Sequence, residues 1–301
     1  MVTQPRLPTL CAAFAQAVVL LVVLDGVRVA AQDHDAAVVI VARATPILAH
    51  MPVAVAPVLP RERQEAFLRT AAIRQVRSVK TGVTGTQRVA LETAGRLHDA
   101  SVQTIDELKA RFETSTGVEF HFRDYWGYNV AAYRLGVLLG LDNIPVSVPR
   151  HFRSRQAAFT WWIDNVLMDE RTRVERQVEP PDPATWNAQV YIMRVFDELV
   201  ANHDRNRTNM LIDRDWTLWL IDHSRAFRLA RTLRAPTVLR RCERTLLAQM
   251  RTLTRATVDR ELGDYLTPME RDALMARRDA LVAHFEALGA GALYDGTGVR
   301  R

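Results

Sequence analysis

A polar loop between two apolar segments carries side chains of the kind that phosphoryl transfer requires. Asp204 and Asn209 lie in this loop, and Asp222 opens a second polar loop further along the chain. Two short apolar runs, at 210–212 and 218–221, flank a turn between the loops and predict a β-hairpin. Because a tight hairpin returns the chain to where it started, we expect the three side chains to converge.

The chemistry of these side chains suits a reaction at a nucleotide phosphate. A carboxylate such as Asp204 can orient an attacking hydroxyl, while Asn209 and Asp222 can hold Mg²⁺ through oxygen atoms. Mg²⁺ retains several waters and needs few protein ligands. Turn chemistry is the plainer alternative, since Asp and Asn bond to their own backbone in loops. It does not account for three polar residues at these intervals between apolar runs.

At these residues the sequence resembles the atypical branch of the kinase-like superfamily. Residues 204–209, Asp-Arg-Asn-Arg-Thr-Asn, resemble the catalytic loop of phosphoinositide 3/4-kinases, with Asn206 where that family has His. Residues 221–227, Ile-Asp-His-Ser-Arg-Ala-Phe, are similar to its Asp-Phe-Gly region. Secretory-pathway casein-kinase-type enzymes and HipA-type kinases share this pattern. The resemblance implies ATP and Mg²⁺ as cofactors, Asp204 and Arg205 as catalytic-loop residues, and Asn209 and Asp222 as metal ligands.

A glycine-containing turn earlier in the chain is the expected cover for the phosphates. Strand patterns at 73–79 and 88–91 flank the sequence Thr-Gly-Val-Thr-Gly-Thr at 81–86. Backbone N–H groups in such a turn can bind phosphate oxygens. We therefore expect nucleotide contacts at Gly82, Thr84, Gly85 and Thr86, although glycine turns are common in hairpins and the motif alone is weak.

Two charged residues that the resemblance requires are absent. Gln103 stands where the family places a lysine, and Asn129 stands where it places the partner glutamate, in Asn-Val-Ala-Ala-Tyr at the start of a predicted helix. A hydrogen bond between the two amides would keep the geometry of the nucleotide site without its charge. A replacement cation is expected from Arg77, Lys80 or Arg88.

Composition is that of a globular protein with room for one large or two small domains. The chain has 301 residues, of which 48% are hydrophobic, and 40 basic residues stand against 34 acidic ones. This mild positive balance favours anionic partners such as nucleotide phosphates or a membrane surface. Basic clusters with interleaved aromatics are absent from the sequence, which argues against a nucleic-acid partner.

His203 and His223 neighbour the key aspartates, but helical His pairs or Cys pairs that would indicate zinc are missing.

The first 31 residues have the pattern of a signal peptide. Arg6 precedes an apolar run over 10–24, and Val-Ala-Ala at 29–31 offers a cleavage site. A helix needs roughly 20 residues to span a bilayer, so export to the periplasm or outside the cell is favoured over a membrane anchor. After cleavage Cys242 would be the remaining cysteine, which predicts no internal disulfide.

The remaining periodicities predict an α+β protein with two lobes. Helices are expected at 125–139, 186–200, 237–253 and 257–265, and a last helix begins with a capping box at Thr267. The expected division is a signal peptide at 1–31, an arm at 32–69, a small β-rich lobe at 70–148 and a helical lobe at 149–295.

Several functions fit this sequence. The leading hypothesis is an ATP- and Mg²⁺-dependent phosphotransferase whose acceptor hydroxyl belongs to a protein, a lipid or a small molecule. The alternative is an exported pseudokinase or nucleotide-sensing interaction protein, because the lysine and the glutamate are missing. A third hypothesis is transfer of the nucleotide itself.

Overall fold

The computed structural model of the chain describes residues 59–79, 85–114 and 117–296. The expected signal peptide and the arm up to residue 58 lie outside these ranges. Within the described ranges, no helix is both long enough and apolar enough to cross a membrane.

The first half of the described chain combines short antiparallel strands with two helices. In chain order the elements are α1 (Arg61–Thr70), β1 (Ala72–Ser78), β2 (Gln87–Thr93), β3 (Arg96–Gln103), β4 (Asp106–Thr114), β5 (Gly117–Tyr125), α2 (Gly127–Leu138), β6 (Ser147–Phe152) and β7 (Arg155–Trp161). Strands β1, β2, β3, β7 and β6 form one five-stranded sheet in that order, while β4 and β5 form a separate hairpin.

The two faces of the sheet differ because side chains alternate along a strand. One face packs into the core together with residues of α1 and α2. Its buried side chains in β2 and β3 are Val89, Leu91, Ala100 and Val102. The opposite face is polar: Arg88 lies across from Ser101 in the register of β2 and β3, and Gln103 ends β3 on the same side. This polar face is turned toward the segment that contains Asp222, because Gln103 donates a hydrogen bond to the Asp222 carboxylate.

The sheet continues beyond the boundary expected at residue 148. Strand β7 pairs with β3, and β6 pairs with β7 at the edge of the sheet. Pro149 lies within β6, where an edge position tolerates a residue without an N–H donor. The change from sheet to mainly helical structure therefore follows Trp161, and residues 147–161 belong with the small lobe.

The second half of the described chain is mainly helical. The elements are β8 (Val166–Asp169), α3 (Glu170–Glu175), α4 (Pro183–Leu199), β9 (Met210–Asp213), β10 (Leu218–Leu220), β11 (Cys242–Glu243), α5 (Arg244–Thr252), α6 (Arg255–Leu262), α7 (Pro268–Leu288) and β12 (Leu293–Tyr294). A small antiparallel sheet in the order β10, β9 and β8 accompanies the helices.

Most local expectations match these elements. The hairpin expected at 210–221 is formed by β9 and β10, and α7 begins with the capping box of Thr267 and Glu270. The helix expected over 237–253 is shorter and begins at Arg244. The reason is tertiary, because Cys242 and Glu243 pair as a short strand with β12, and the Glu243 side chain then caps α5.

A buried arginine in α7 joins three parts of the helical lobe. Arg277 is 1% exposed, and its guanidinium donates hydrogen bonds to the backbone carbonyls of Leu199, Arg228 and Ala230. Burial lowers the pKa of Arg277 to about 10, so the group stays charged at neutral pH. The end of α4 and the segment at 228–230 are therefore held against α7 by one side chain.

Replacing Arg277 tests this link. Arg277→Met keeps similar bulk but leaves three carbonyls without their donor, so we expect the free energy of unfolding to fall by about 3 kcal/mol. Urea denaturation measures the difference. The matched control is Arg260→Met, which removes a 67% exposed guanidinium from α6 and should change stability by less than about 0.5 kcal/mol. Equal effects of the two substitutions would contradict the link.

Candidate active site

The loop that carries Asp204 begins where α4 ends. Phe196 and Leu199 bury one face of α4 in the core, which fixes the direction in which the chain leaves the helix. The Asn202 side chain accepts a hydrogen bond from the Asp204 backbone N–H at 3.2 Å. The Asp204 side chain is 45% exposed and thus reachable from solvent.

Arg205 ties this loop to its surroundings. Its guanidinium forms a bidentate pair with Asp197 in α4, with Nε–Oδ2 and Nη2–Oδ1 distances of 3.0 Å. Nη1 donates to the carbonyls of Asn209 at 3.1 Å and Ile221 at 2.6 Å. The side chain is only 7% exposed. Arg205, expected as a catalytic-loop residue, is thus engaged in holding the loop, and its role in this geometry is to position Asn209 and the Asp222 segment.

His223 completes the contacts of Arg205. The Arg205 Nη2 lies 2.8 Å from His223 Nε2. A guanidinium can only donate, so Nε2 accepts and the ring proton is on Nδ1. Burial, and then the charge of Arg205, hold the pKa of His223 well below its usual value. A neutral, buried imidazole next to Asp222 therefore serves as part of the scaffold.

Asp222 is held in a left-handed backbone conformation by a chain of amides. Its φ is 55°, a value that non-glycine residues adopt infrequently. Gln103 Nε2 donates to Asp222 Oδ1 at 3.2 Å, and Asn129 Nδ2 donates to Gln103 Oε1 at 2.6 Å. Asn129 Oδ1 in turn accepts from the His223 backbone N–H at 2.8 Å. The hydrogen bond expected between Gln103 and Asn129 is present, and we refer to these two side chains as the amide pair.

The amide pair is nearly enclosed, since Gln103 and Asn129 are 7% and 6% exposed. Each amide uses its donor and its acceptor on a protein group. The expected role of both residues in nucleotide binding is therefore indirect in this geometry, because they act on the position of Asp222.

Part of the expected phosphate loop can be placed. Thr86 Oγ1 accepts a hydrogen bond from Gln103 Nε2 at 3.2 Å, so the start of β2 lies next to the amide pair. Gly85 has a φ of 66°, which suits glycine. Gly82 and Thr84, like Lys80, lie outside the described residues.

The two arginines expected as replacement cations are engaged elsewhere. Arg88 Nε is 2.6 Å from Asp99 Oδ2, and its guanidinium lies 4.2 Å from the ring of Trp162. Arg77 donates to Gln75 in an exposed position. Neither guanidinium contacts Asp204, Asn209 or Asp222 in this structure.

Asn209 and Asp222 are the two residues that the sequence predicts as metal ligands. Asn209 is joined to the Asp222 segment by the bond from the Ile221 N–H to its carbonyl, at 3.1 Å. Its side-chain amide makes no hydrogen bond to any described residue. An amide oxygen and a carboxylate are ligands that Mg²⁺ accepts when water completes its shell. Within the described ranges, clusters of three or more His, Cys, Asp or Glu side chains suited to a metal are absent.

Sequence reasoning missed Asp124 and Arg225. Arg225 Nε donates to Asp124 Oδ2 at 2.7 Å, and its Nη1 donates to Asp204 Oδ2 at 3.3 Å. Burial raises the pKa of Asp204, the charge of Arg225 opposes this shift, and the charges of Asp222 and Asp124 add to it. The alternation of Val118, Phe120 and Phe122 with polar residues is the signal that could have indicated β5, which carries Asp124.

Comparisons with known proteins agree with the overall fold. The structure of a hydra Fam20 with sugar has a TM-score of 0.55 and 14% identity, covering 77% of this chain and 91% of that one. A Golgi casein kinase with Mn and ADP bound has a TM-score of 0.56 and 10% identity, covering 77% and 76%. A second Golgi casein kinase structure has a TM-score of 0.54 and 11% identity, covering 79% of each chain. Protein-family models and curated protein sequences gave no match. The chain has the two-lobed, atypical kinase-like fold that the resemblance of its loops predicted.

Asn129 gives a direct test of the amide pair. Asn129→Ala removes the acceptor of the buried His223 N–H and the donor to Gln103, so the free energy of unfolding should fall by about 2 kcal/mol. Chemical denaturation measures this fall. The control Gln75→Ala removes an amide whose contact with Arg77 is exposed, and it should change stability by less than about 0.5 kcal/mol. A loss no larger than in the control would contradict the assigned contacts.

Proposed function

We propose that the protein is an ATP- and Mg²⁺-dependent phosphotransferase that acts on a hydroxyl group. The observation that carries this proposal is that one guanidinium joins α4 and the two polar loops. Arg205 binds the carbonyls of Asn209 and Ile221 while following Asp204 directly in the chain. The carboxylate expected to orient the acceptor and the two expected metal ligands thereby border one site.

Each residue has a distinct task in the proposed reaction. Asp204 accepts a hydrogen bond from the acceptor hydroxyl and takes up its proton as the oxygen attacks the γ-phosphorus. Asn209 and Asp222 hold the cation, which neutralises charge on the phosphates. The loop that ends in Gly85 and Thr86 covers the phosphates through backbone N–H groups. Positioning and electrostatics supply most of the catalysis in such a transfer.

The fold neighbours support a nucleotide and a divalent cation. One Golgi casein kinase structure contains Mn and ADP. For this chain we propose Mg²⁺, because oxygen ligands that leave room for water suit that ion. The acceptor stays open between a protein, a lipid and a small molecule.

The amide pair favours a second candidate function. A kinase-like site with Gln103 and Asn129 lacks the cation that grips the phosphates and the glutamate that orients it. A pseudokinase or nucleotide-sensing interaction protein would keep the fold and bind nucleotide without efficient transfer. Export through the N-terminal segment, which we also propose, fits this candidate because ATP is scarce outside the cell.

Nucleotide binding provides the first test. Ligand at about 100 times its dissociation constant stabilises a protein by about 2.7 kcal/mol, which raises the melting temperature by several degrees in a domain of this size. We expect Mg²⁺ with ATP to produce this shift and Asp222→Asn to abolish it. Asp264→Asn, an exposed acidic position outside the site, is the control and should keep the shift. No shift in the folded parent protein would contradict both candidates.

Asp204 separates the two candidates. Asp204→Asn should retain the nucleotide-induced thermal shift and lower the rate of phosphate transfer by at least about 100-fold, because an amide cannot take up the proton. Transfer is measured as release of labelled phosphate to water or its incorporation into the protein. A parent protein that binds ATP and transfers no phosphate would favour the pseudokinase.

A further inference from the structure

Arg225 is shared by two carboxylates from different parts of the fold. Its Nε donates to Asp124 in β5, and its Nη1 donates to Asp204 in the catalytic loop. The contact with Asp124 is the shorter of the two, at 2.7 Å against 3.3 Å. Arg225 itself lies three residues after Asp222. One side chain thus connects the β4–β5 hairpin with both polar loops of the site.

Asp124 depends on this arginine. It is 1% exposed, and its Oδ1 has no hydrogen-bond partner among the described residues. A buried carboxylate requires a compensating charge, and Arg225 provides it. The guanidinium also lies 5.5 Å from the ring of Phe122 on the same strand. The Tyr125 N–H donates to the Ser224 carbonyl at 2.8 Å, which joins the backbones of the two segments at this point.

Arg225 binds one of the two carboxylate oxygens of Asp204. Oδ2 of Asp204 faces Arg225, whereas Oδ1 makes no hydrogen bond to any described residue. The backbone of Asp204 is held separately by Asn202. One carboxylate oxygen is therefore oriented by the protein, and the Asp204 side chain as a whole stays 45% exposed.

We propose that Arg225 is a positioning residue for phosphoryl transfer, held by Asp124 of the hairpin so that it orients Asp204 with one oxygen free for the acceptor. This inference rests on the proposed function. The β4–β5 hairpin, which lies outside the five-stranded sheet, thereby becomes part of the catalytic apparatus.

The proposed step conserves atoms and charge. The acceptor oxygen forms a bond to the γ-phosphorus, and the bond from that phosphorus to the β,γ-bridging oxygen breaks. The bridging oxygen leaves on ADP with the electron pair. The acceptor proton passes to Asp204 Oδ1, which later releases it to water. Arg225 touches neither phosphate nor acceptor and acts by fixing the direction of the carboxylate.

Melting temperature and ATP turnover are measured on the same variants of the whole chain. Asp124→Asn keeps the shape of the side chain and removes the charge that holds Arg225. Arg225→Gln removes the guanidinium, and Arg225→Lys keeps a cation that cannot bind two carboxylates as a fork. The matched control is Arg111→Gln, which breaks an exposed arginine–glutamate pair at 3.0 Å on the same hairpin. Water serves as the phosphate acceptor, with Mg²⁺ and ATP as the probe.

The expected result is a lower kcat with a nearly unchanged KM. Arg225→Gln and Asp124→Asn should lower kcat, by up to about 100-fold, since small misplacements of a reacting group cost this much. Their KM for ATP should stay within about threefold of the parent value. Their nucleotide-induced thermal shift should stay close to that of the parent. Compared with Arg225→Gln, Arg225→Lys should restore the melting temperature to a greater extent than it restores kcat. Arg111→Gln should match the parent in both parameters.

A double-mutant cycle tests, without relying on catalysis, whether Arg225 couples Asp124 to Asp204. We refer to these two contacts of Arg225 as the bridge. The melting temperatures of Asp124→Asn, Asp204→Asn and their double variant should be non-additive when Arg225 is present and additive when it is replaced by Gln. Additivity in both backgrounds would overturn the bridge.

Three kinetic outcomes would overturn the positioning role. A rise in KM with an unchanged kcat in Arg225→Gln would mean that Arg225 contacts the nucleotide. An unchanged kcat in Asp124→Asn would remove the hairpin from the mechanism. If the parent protein turns over no ATP, the proposed function fails before any variant is compared, and the positioning role fails with it, whatever the cycle reports about the bridge.

Discussion

The buried guanidinium of Arg205 is the contact on which the candidate site depends. It joins α4 through Asp197, the loop of Asp204 through the Asn209 carbonyl, and the loop of Asp222 through the Ile221 carbonyl and His223. A buried charge is tolerated when it is paired and fully hydrogen-bonded, and the bidentate contact with Asp197 meets that condition. A planar fork with fixed donor directions restricts how three segments can surround it. The loops therefore meet in one arrangement.

The amide pair performs a related task without charge. Gln103 and Asn129 link β3, α2 and the backbone at His223, and they hold Asp222 in a left-handed conformation. Two neutral amides avoid the desolvation penalty of a buried ion pair, and each can donate and accept. The consequence is that the amide pair holds Asp222 without placing a positive charge beside it. Arg225, three residues after Asp222, is engaged by Asp124 and Asp204.

Local sequence patterns determined much of this protein. The spacing of Asp204, Asn209 and Asp222 around two apolar runs predicted the β9–β10 hairpin, because hairpin turns act over a few residues. The Thr267 capping box predicted the start of α7 for the same reason. The pairing of Gln103 with Asn129 also followed from the sequence, through the resemblance to kinase-like proteins and the ability of amides to pair. The lobe boundary at residue 148 stays a prediction, and the five-stranded sheet itself continues to Trp161 because β7 pairs with β3.

Only the tertiary structure decided which charges meet. Asp124 and Arg225 are 101 residues apart, and nothing in their local sequence indicates that a guanidinium would join them to Asp204. The engagement of Arg205 with Asp197, and of Arg88 with Asp99 and Trp162, likewise depends on packing between elements. A sequence motif specifies which side chain a loop carries, because that information is local. The direction of its donors is set by partners that the fold brings from elsewhere in the chain.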